Sequence, residues 1–293
     1  MILALLGALW VDQELQGTPL PAFLRDIAPG YAILFPPGVA MLLIGLLLVP
    51  LAARELGAIF HANKLDASRR WMTMAAIGGL LVSAAVPSSA NPIHAVALVA
   101  TIGTLLLVGS LIWHIRDKNL HGATAAAGAT MLAFVYLGLM FGFLLALRRE
   151  HSAWVVAAVL LITKSCDIGA YFTGKAIGRH KLIPWLSPGK TWEGLVGGMV
   201  LAAAVAIGAL ALHRSYIGTT GPGAMPWIYA ALIGAVLAVV GQAGDLLESV
   251  LKRDAGLKDS GRTLPGYGGV LDVLDSILLA APAAFWLLTP YSV

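Results

Sequence analysis

The chain has 293 residues, 59% of them hydrophobic and 12% charged, with a mean hydropathy of +0.85. Soluble domains carry about 25% charged residues, so this composition excludes a disordered protein, a coiled coil and an ordinary water-soluble enzyme, and indicates an all-α polytopic membrane bundle. The 19 Lys and Arg against 15 Asp and Glu leave a formal net charge of +4, too small and too dispersed for a nucleic-acid surface; the lipid bilayer is the expected partner, with no nucleic acid. The single cysteine, Cys166, cannot form an internal disulfide and reads as a small buried residue.

A helix needs about 20 mostly apolar residues to cross roughly 30 Å of hydrocarbon. Met1–Trp10 is apolar but too short to span, and is expected to be a half-buried anchor or the end of a helix that starts upstream. Eight spans are then expected in chain order: Tyr31–Ala53, a short one at Trp71–Pro87, Ile93–Trp113, Gly122–Leu147, Ala153–Phe172, Gly194–His213, Trp227–Leu247, and Gly268–Leu288 with Pro282 inside it.

Cytoplasmic loops retain the excess of Lys and Arg. Alternate loops separate on this criterion. One side collects Arg54, Lys64, Arg69, Arg70, Arg116, Lys118, Lys175, Arg179, Lys181, Lys190, Lys252, Arg253, Lys258 and Arg262. The other has only Arg25, Arg148, Arg149 and Arg214, with Lys164 inside the fifth span. The basic side is therefore expected to be cytoplasmic, and the protein multi-pass in the cell (inner) membrane. Residues 1–150 read as an apolar scaffold. Residues 151–293 read as a catalytic half with cytoplasmic loops at 173–193 and 248–267, because ionisable residues appear at membrane depth only there.

Such residues cost on the order of 3 kcal/mol to insert and are kept for a site or a pathway. Lys164 and Asp167, three apart, share a helical face and can neutralise each other. Asp245, Glu248, Ser249 and Lys252 follow an i, i+3, i+4, i+7 pattern along one face of the seventh span. Asp272 and Asp275 are again three apart, near the start of the last span behind Gly268 and Gly269. Separated carboxylates without a neighbouring base in apolar sequence call for a cation, and oxygen-rich sites suit Mg²⁺. Lys252, Arg253, Lys258 and Arg262 can then hold phosphate charge; the blander reading is that they only set topology. The glycines of Leu264–Gly269 allow close backbone approach but form neither a Walker loop nor a dinucleotide fingerprint. In the other loop, Ser187-Pro188 ends one element, and Lys190, Thr191 and Glu193 precede a helix whose N-terminus can attract an anion. Trp192 is suited to the membrane interface.

These segments resemble the phosphatidate cytidylyltransferase (CDP-diacylglycerol synthase) family. Its signature runs Ser-x-x-Lys-Arg-x4-Lys-Asp, a short spacer, then His-Gly-Gly-x-x-Asp-Arg-x-Asp. Ser249, Lys252, Arg253, Lys258, Asp259, Gly268, Gly269, Asp272 and Asp275 fall at matching positions. Tyr267 stands where the family has His, and Val273 where it has Arg. A second block is matched by Asp167, Ala170-Tyr171-Phe172 and Gly174, and by Ser187-Pro188-x-Lys190-Thr191-Trp192-Glu193-Gly194. The resemblance implies the reaction of CTP with phosphatidic acid to give CDP-diacylglycerol and pyrophosphate at the cytoplasmic face. It also implies Mg²⁺, with a monovalent cation such as K⁺ as well.

On that reading Asp245 and Asp272 are metal ligands, with Asp275 and Asp167 as further ligands. Lys252, Arg253 and Ser249 are catalytic with the two acids. Lys190, Ser187, Thr191, Glu193, Lys258, Arg262, Gly268, Gly269 and Lys164 bind substrate, and Glu248 orients its neighbours. A homodimer is compatible with the reading. The competing readings are a CTP-dependent lipid kinase, another lipid nucleotidyltransferase, and an ion-coupled transporter. Against the transporter, the charges gather at helix ends on one side and not at paired midplane positions.

Overall fold

The computed structural model describes residues 2–19, 35–86, 91–115, 120–217, 224–261, 263 and 268–291. With no water in the bilayer core to bond to exposed peptide groups, apolar runs satisfy their backbone internally as helices. In chain order these are α1 (Ile2–Leu15), α2 (Val39–Ala62), α3 (Arg69–Ala85) and α4 (Pro92–Ile115). Then α5 (Ala123–Leu132) continues through a π-helical segment, Ala133–Leu139, into α6 (Met140–Glu150). After it come α7 (Ala153–Ile177), α8 (Trp192–Ile217), α9 (Trp227–Asp254) and α10 (Leu271–Leu288), which ends in a 3₁₀ turn, Thr289–Tyr291. Among the described residues, seven helices are long and apolar enough to cross a membrane. The eighth expected span is α3, 17 residues long, about 25 Å at 1.5 Å per residue. The chain is an all-α, multi-pass membrane protein.

The first span departs from its expected bounds. Helix α2 starts at Val39 instead of Tyr31 and ends at Ala62 instead of Ala53, with Pro50 inside it; Tyr31–Leu34 lie outside the described residues. Pro36 and Pro37 precede Gly38, whose φ of 95° breaks the chain direction. The helix that follows is capped from a distance: Asp12 of α1 accepts from Gly38 N (2.9 Å) and Ala40 N (2.8 Å). This shift draws Arg54 and Glu55, which fell after the expected span, into the helix. The two loops are also shorter than expected, since α7 runs on to Ile177 and α9 to Asp254. Between α7 and α8 the chain forms a small antiparallel ribbon, β1 (Lys181–Ile183) with β2 (Ser187–Thr191).

Helix association in lipid depends on close packing, which small residues permit. Helices α7 and α8 share the most extensive contact, and a Cβ on Gly198 would come within 2.8 Å of the Cys166 carbonyl oxygen. Helix α10 joins the halves, packing on α9, α6, α7 and α2. Helix α4 sits outermost, burying only Gly103, Ser110 and His114, while Leu105, Ile112, Val196 and Val200 face outward from α4 and α8. The chain's alternation puts the C-terminal ends of α2, α7 and α9 and the N-terminal ends of α8 and α10 at one end of the bundle, together with most of the basic residues.

Helix α1 is more than an anchor. Leu5 and Leu9 are buried against α2 and α7, and Asp12 pairs with Arg148 Nε at 2.7 Å, both side chains almost fully buried. Arg148 also donates to Gln16 Oε1 (2.7 Å) and to the His151 carbonyl (3.2 Å). Removing one partner of a buried ion pair leaves an uncompensated charge, at about 3–5 kcal/mol. Asp12→Ala is expected to lower stability by that order in thermal unfolding of the detergent-solubilised protein, and wild-type stability in Asp12→Ala would refute the pair's role.

Candidate functional site

The site is built where α9 and α10 touch. A Cβ on Gly244 would lie 2.5 Å from the Asp275 carbonyl oxygen, so only glycine lets the two backbones come this close. The residues on either side of this contact then face each other. Carboxylate oxygens of Asp245, Glu248 and Asp275 lie within 4.8 Å of one another, with Glu248 and Asp275 buried. Glu248 Oε1 is buried and meets no hydrogen-bond partner.

Three lysines approach from three elements. Lys190, at the end of β2, reaches Asp245 Oδ2 at 2.6 Å. Lys164 of α7 donates to Ser276 Oγ (2.6 Å) and lies 3.5 Å from Asp167 and 3.8 Å from Asp275. Lys252, one turn beyond Glu248, bonds to Glu248 Oε2 (3.1 Å) and Asp272 Oδ1 (2.6 Å). In this linked set five carboxylates (Asp167, Asp245, Glu248, Asp272, Asp275) meet three ammonium groups (Lys164, Lys190, Lys252), a formal surplus of two negative charges when every group is ionised. Buried carboxylates at such separation repel unless a proton or a cation lies among them. A donor set made only of oxygens, with one of them orphaned, fits a hard divalent ion.

Of the expected metal residues, Asp245 and Asp275 belong to the close trio. Asp272 is joined to it only through Lys252, and its oxygens are already engaged: Oδ2 accepts from Gly269 N (2.7 Å) and Ser260 Oγ (2.8 Å). Asp167 is half-exposed at the Lys164 edge. The third member of the trio is Glu248, to which the sequence assigned only an orienting role. Gly268, at φ 89°, takes a left-handed turn just before α10, where a Cβ would meet Asp272 Oδ2 at 2.7 Å.

The expected phosphate-binding residues divide. Lys190, Lys164 and Lys252 converge on the acids. Arg253 is exposed and donates to the Leu257 carbonyl (3.0 Å), closing the turn after α9, and Lys258 is exposed. Ser249 is half-buried on α9, and Ser187 is half-buried at the start of β2. Thr191 caps α8, its Oγ1 accepting from Gly194 N at 3.1 Å. Glu193 holds the ribbon in place by accepting from His180 Nδ1 (2.6 Å) and His180 N (3.2 Å). Arg262 and Tyr267 lie outside the described residues.

Sequence reasoning missed Glu55. Its carboxylate, buried in α2, accepts from Val270 N (3.0 Å), Leu271 N (2.9 Å), Thr263 Oγ1 (2.5 Å) and Ser260 Oγ (3.4 Å). It therefore caps α10 across the helix dipole and, through Ser260, holds Asp272. The available signal was the Pro36-Pro37-Gly38 break, which moves the helix later and leaves an acid at membrane depth.

Carboxylates and lysines thus gather at one end of a multi-pass helical bundle. A model of the cytidylyltransferase family matches residues 27–290, and the chain belongs to that family. Among its relatives is the phosphatidate cytidylyltransferase of Bacillus subtilis (strain 168), 40% identical over 167 residues, which are 56% of this chain and 59% of that protein. The phosphatidate cytidylyltransferase of Mycobacterium bovis is 35% identical over 212 residues, 68% of this chain and 66% of the relative. That of Staphylococcus aureus (strain COL) is 32% identical over 253 residues, 85% and 90% respectively. The chain thus spans less than two thirds of the length of the first two relatives and nine-tenths of the third.

Hydrogen bonds to a charged group contribute about 1.5–3 kcal/mol each, and Glu55 receives several. Glu55→Ala is expected to lose at least about 2 kcal/mol of stability, with a smaller loss for Glu55→Gln, read as the shift in thermal midpoint. Equal midpoints for Glu55→Ala and wild type would remove Glu55 from its capping role.

Proposed function

We propose that this chain is a phosphatidate cytidylyltransferase, converting CTP and phosphatidic acid to CDP-diacylglycerol and pyrophosphate at the cytoplasmic face of the cell membrane. The observation that carries the proposal is the meeting of Asp245, Glu248 and Asp275 with Lys164, Lys190 and Lys252 at the basic end of the bundle. Family membership and the names of the relatives support it. The excess of Lys and Arg at that end supports a cytoplasmic orientation.

The lipid phosphate is ionised at neutral pH, so no strong general base is needed. One of its oxygens bonds to the α-phosphorus of CTP as the bond from that phosphorus to the β-phosphate's bridging oxygen breaks, and pyrophosphate leaves with the electron pair. Charge neutralisation and positioning then dominate, and well-oriented reactants can supply roughly 7–11 kcal/mol of barrier reduction. Lys190 and Lys252 are placed to bind phosphate oxygens on exchange of their carboxylate partners, and Lys164 holds the Asp275 edge. Asp272 steers Lys252 and the Ser260 loop. Asp245, Glu248 and Asp275 would hold a divalent cation such as Mg²⁺, with Asp167 at its margin; when bound, the ion supplies neutralisation of phosphate charge. The acyl chains stay in lipid while the headgroup meets the polar end of the bundle.

CTP labelled in the cytidine ring separates this reading from a lipid kinase, because only a nucleotidyltransferase moves that label into lipid. The purified protein with phosphatidic acid and Mg²⁺ is expected to label lipid, and excess chelator to abolish labelling. Asp245→Asn and Asp275→Asn are expected to lower turnover by about 100-fold or more, as loss of an electrostatic stabiliser does. Label transfer that survives both the substitutions and the chelator would overturn the assignment.

A further inference from the structure

The loop after α9 delivers one buried polar side chain, Ser260, to the edge of the carboxylate and lysine cluster. Ser260 is 4% exposed, and its hydroxyl lies between carboxylates of two helices: Asp272 Oδ2 of α10 at 2.8 Å and Glu55 Oε2 of α2 at 3.4 Å. A serine hydroxyl has one proton to donate. Glu55 already accepts from Val270 N, Leu271 N and Thr263 Oγ1, so the proton serves chiefly the nearer oxygen, that of Asp272. The Ser260 backbone N–H reaches the same oxygen at 3.2 Å. Gly269 keeps the space open, since a Cβ there would collide with Ser260 Oγ.

The two oxygens of Asp272 are used differently. Oδ2 is held by three uncharged donors: Gly269 N at 2.7 Å, the Ser260 hydroxyl and Ser260 N. Oδ1 takes Lys252 Nζ at 2.6 Å, with only a long contact to Ser260 N at 3.4 Å. A phosphate that draws Lys252 away therefore leaves Asp272 with its donors on Oδ2. This matters because a buried carboxylate that loses its counter-ion is costly unless hydrogen bonds compensate it. The better Asp272 is satisfied by its neutral donors, the more readily Lys252 changes partner. Lys252 is meanwhile kept at the site by Glu248 Oε2, 3.1 Å away.

We propose that Ser260 is a positioning residue that acts through Asp272: its hydroxyl holds that carboxylate in place, so that Lys252 can pass from Asp272 Oδ1 to a phosphate oxygen of a bound substrate. The inference rests on the proposed function in taking Lys252 as a phosphate ligand. Without the hydroxyl, Asp272 depends more on Lys252 and competes with the phosphate for it. A contact made equally in the bound and reacting states changes KM and leaves kcat alone, so the effect falls on KM. Whether the phosphate belongs to the nucleotide or to the lipid is read from which KM moves.

The test is label transfer from cytidine-labelled CTP by the purified full-length protein with Mg²⁺ in mixed micelles. CTP is varied at saturating phosphatidic acid, then phosphatidic acid at saturating CTP, and the thermal midpoint is measured in parallel. Ser260→Ala is expected to raise the KM for at least one of the two substrates about 10-fold, the low end of what a hydrogen bond to a charged group contributes, with kcat within about twofold and the midpoint unchanged. Ser260→Thr, which keeps the hydroxyl, is expected to restore that KM. Ser260→Ala with both KM values equal to wild type overturns the role of Ser260 and leaves the proposed function standing, as does a fall in kcat alone. A raised KM that Ser260→Thr does not restore, or that comes with a lowered midpoint, assigns Ser260 to the folding of the loop and also overturns it. No label transfer by wild type removes the proposed function and this inference with it.

Discussion

The contact between Gly244 and the backbone at Asp275 governs the polar end of this protein. Because α9 and α10 touch there without an intervening side chain, acids on each helix are forced into one small volume at the end of the bundle. Carboxylates in such surroundings cannot stand alone, since the loss of hydration is not offset by the protein unless counter-charge and hydrogen bonds are supplied. The lysines answer part of this demand from three separate elements. The remaining acidic groups are what support the proposal of a divalent cation at this end of the bundle.

The same constraint accounts for long-range bonds that reach into the N-terminal half. The first turn of α10 presents free N–H groups beside the acids, and Glu55 of α2 occupies them. Ser260 bonds to both Glu55 and Asp272, so the loop after α9, the start of α10 and the end of α2 are tied together. A second tie at this end runs from Asn63 to Asp254. At the opposite end, Asp12 does for α2 what Glu55 does for α10, accepting its first N–H groups while pairing with Arg148. Both caps are acids buried near the positive ends of helix dipoles, and both fasten the first helices to the rest.

One replacement within the signature is explained by position. Val273 stands half-buried on α10 where the resembled family carries Arg. The Lys164 ammonium, arriving from α7, bonds to Ser276 and lies beside Asp275 on that helix. A cation is therefore present at the edge of the trio without one at position 273. Cys166, two residues further along α7, is packed in the seam with α8 and donates to the Ala238 carbonyl at 3.5 Å, consistent with a small buried residue.

Amino-acid order alone determined the class of this protein: hydrocarbon admits few ways to satisfy a backbone, so apolar runs of sufficient length had to be helices, and the spacing of Asp245, Glu248 and Lys252 had to place them on one face. Alternation of Lys and Arg among the loops marked the end where the acids collect. What only the tertiary structure decided was which of those acids meet. Glu248 joins Asp245 and Asp275 while Asp272 turns to Lys252 and the Ser260 loop, because that choice depends on a backbone contact between helices and not on spacing within either one. Glu55 was beyond reach for the same reason: it lies in apolar sequence far from the signature, and only packing of α2 against α10 gives it partners.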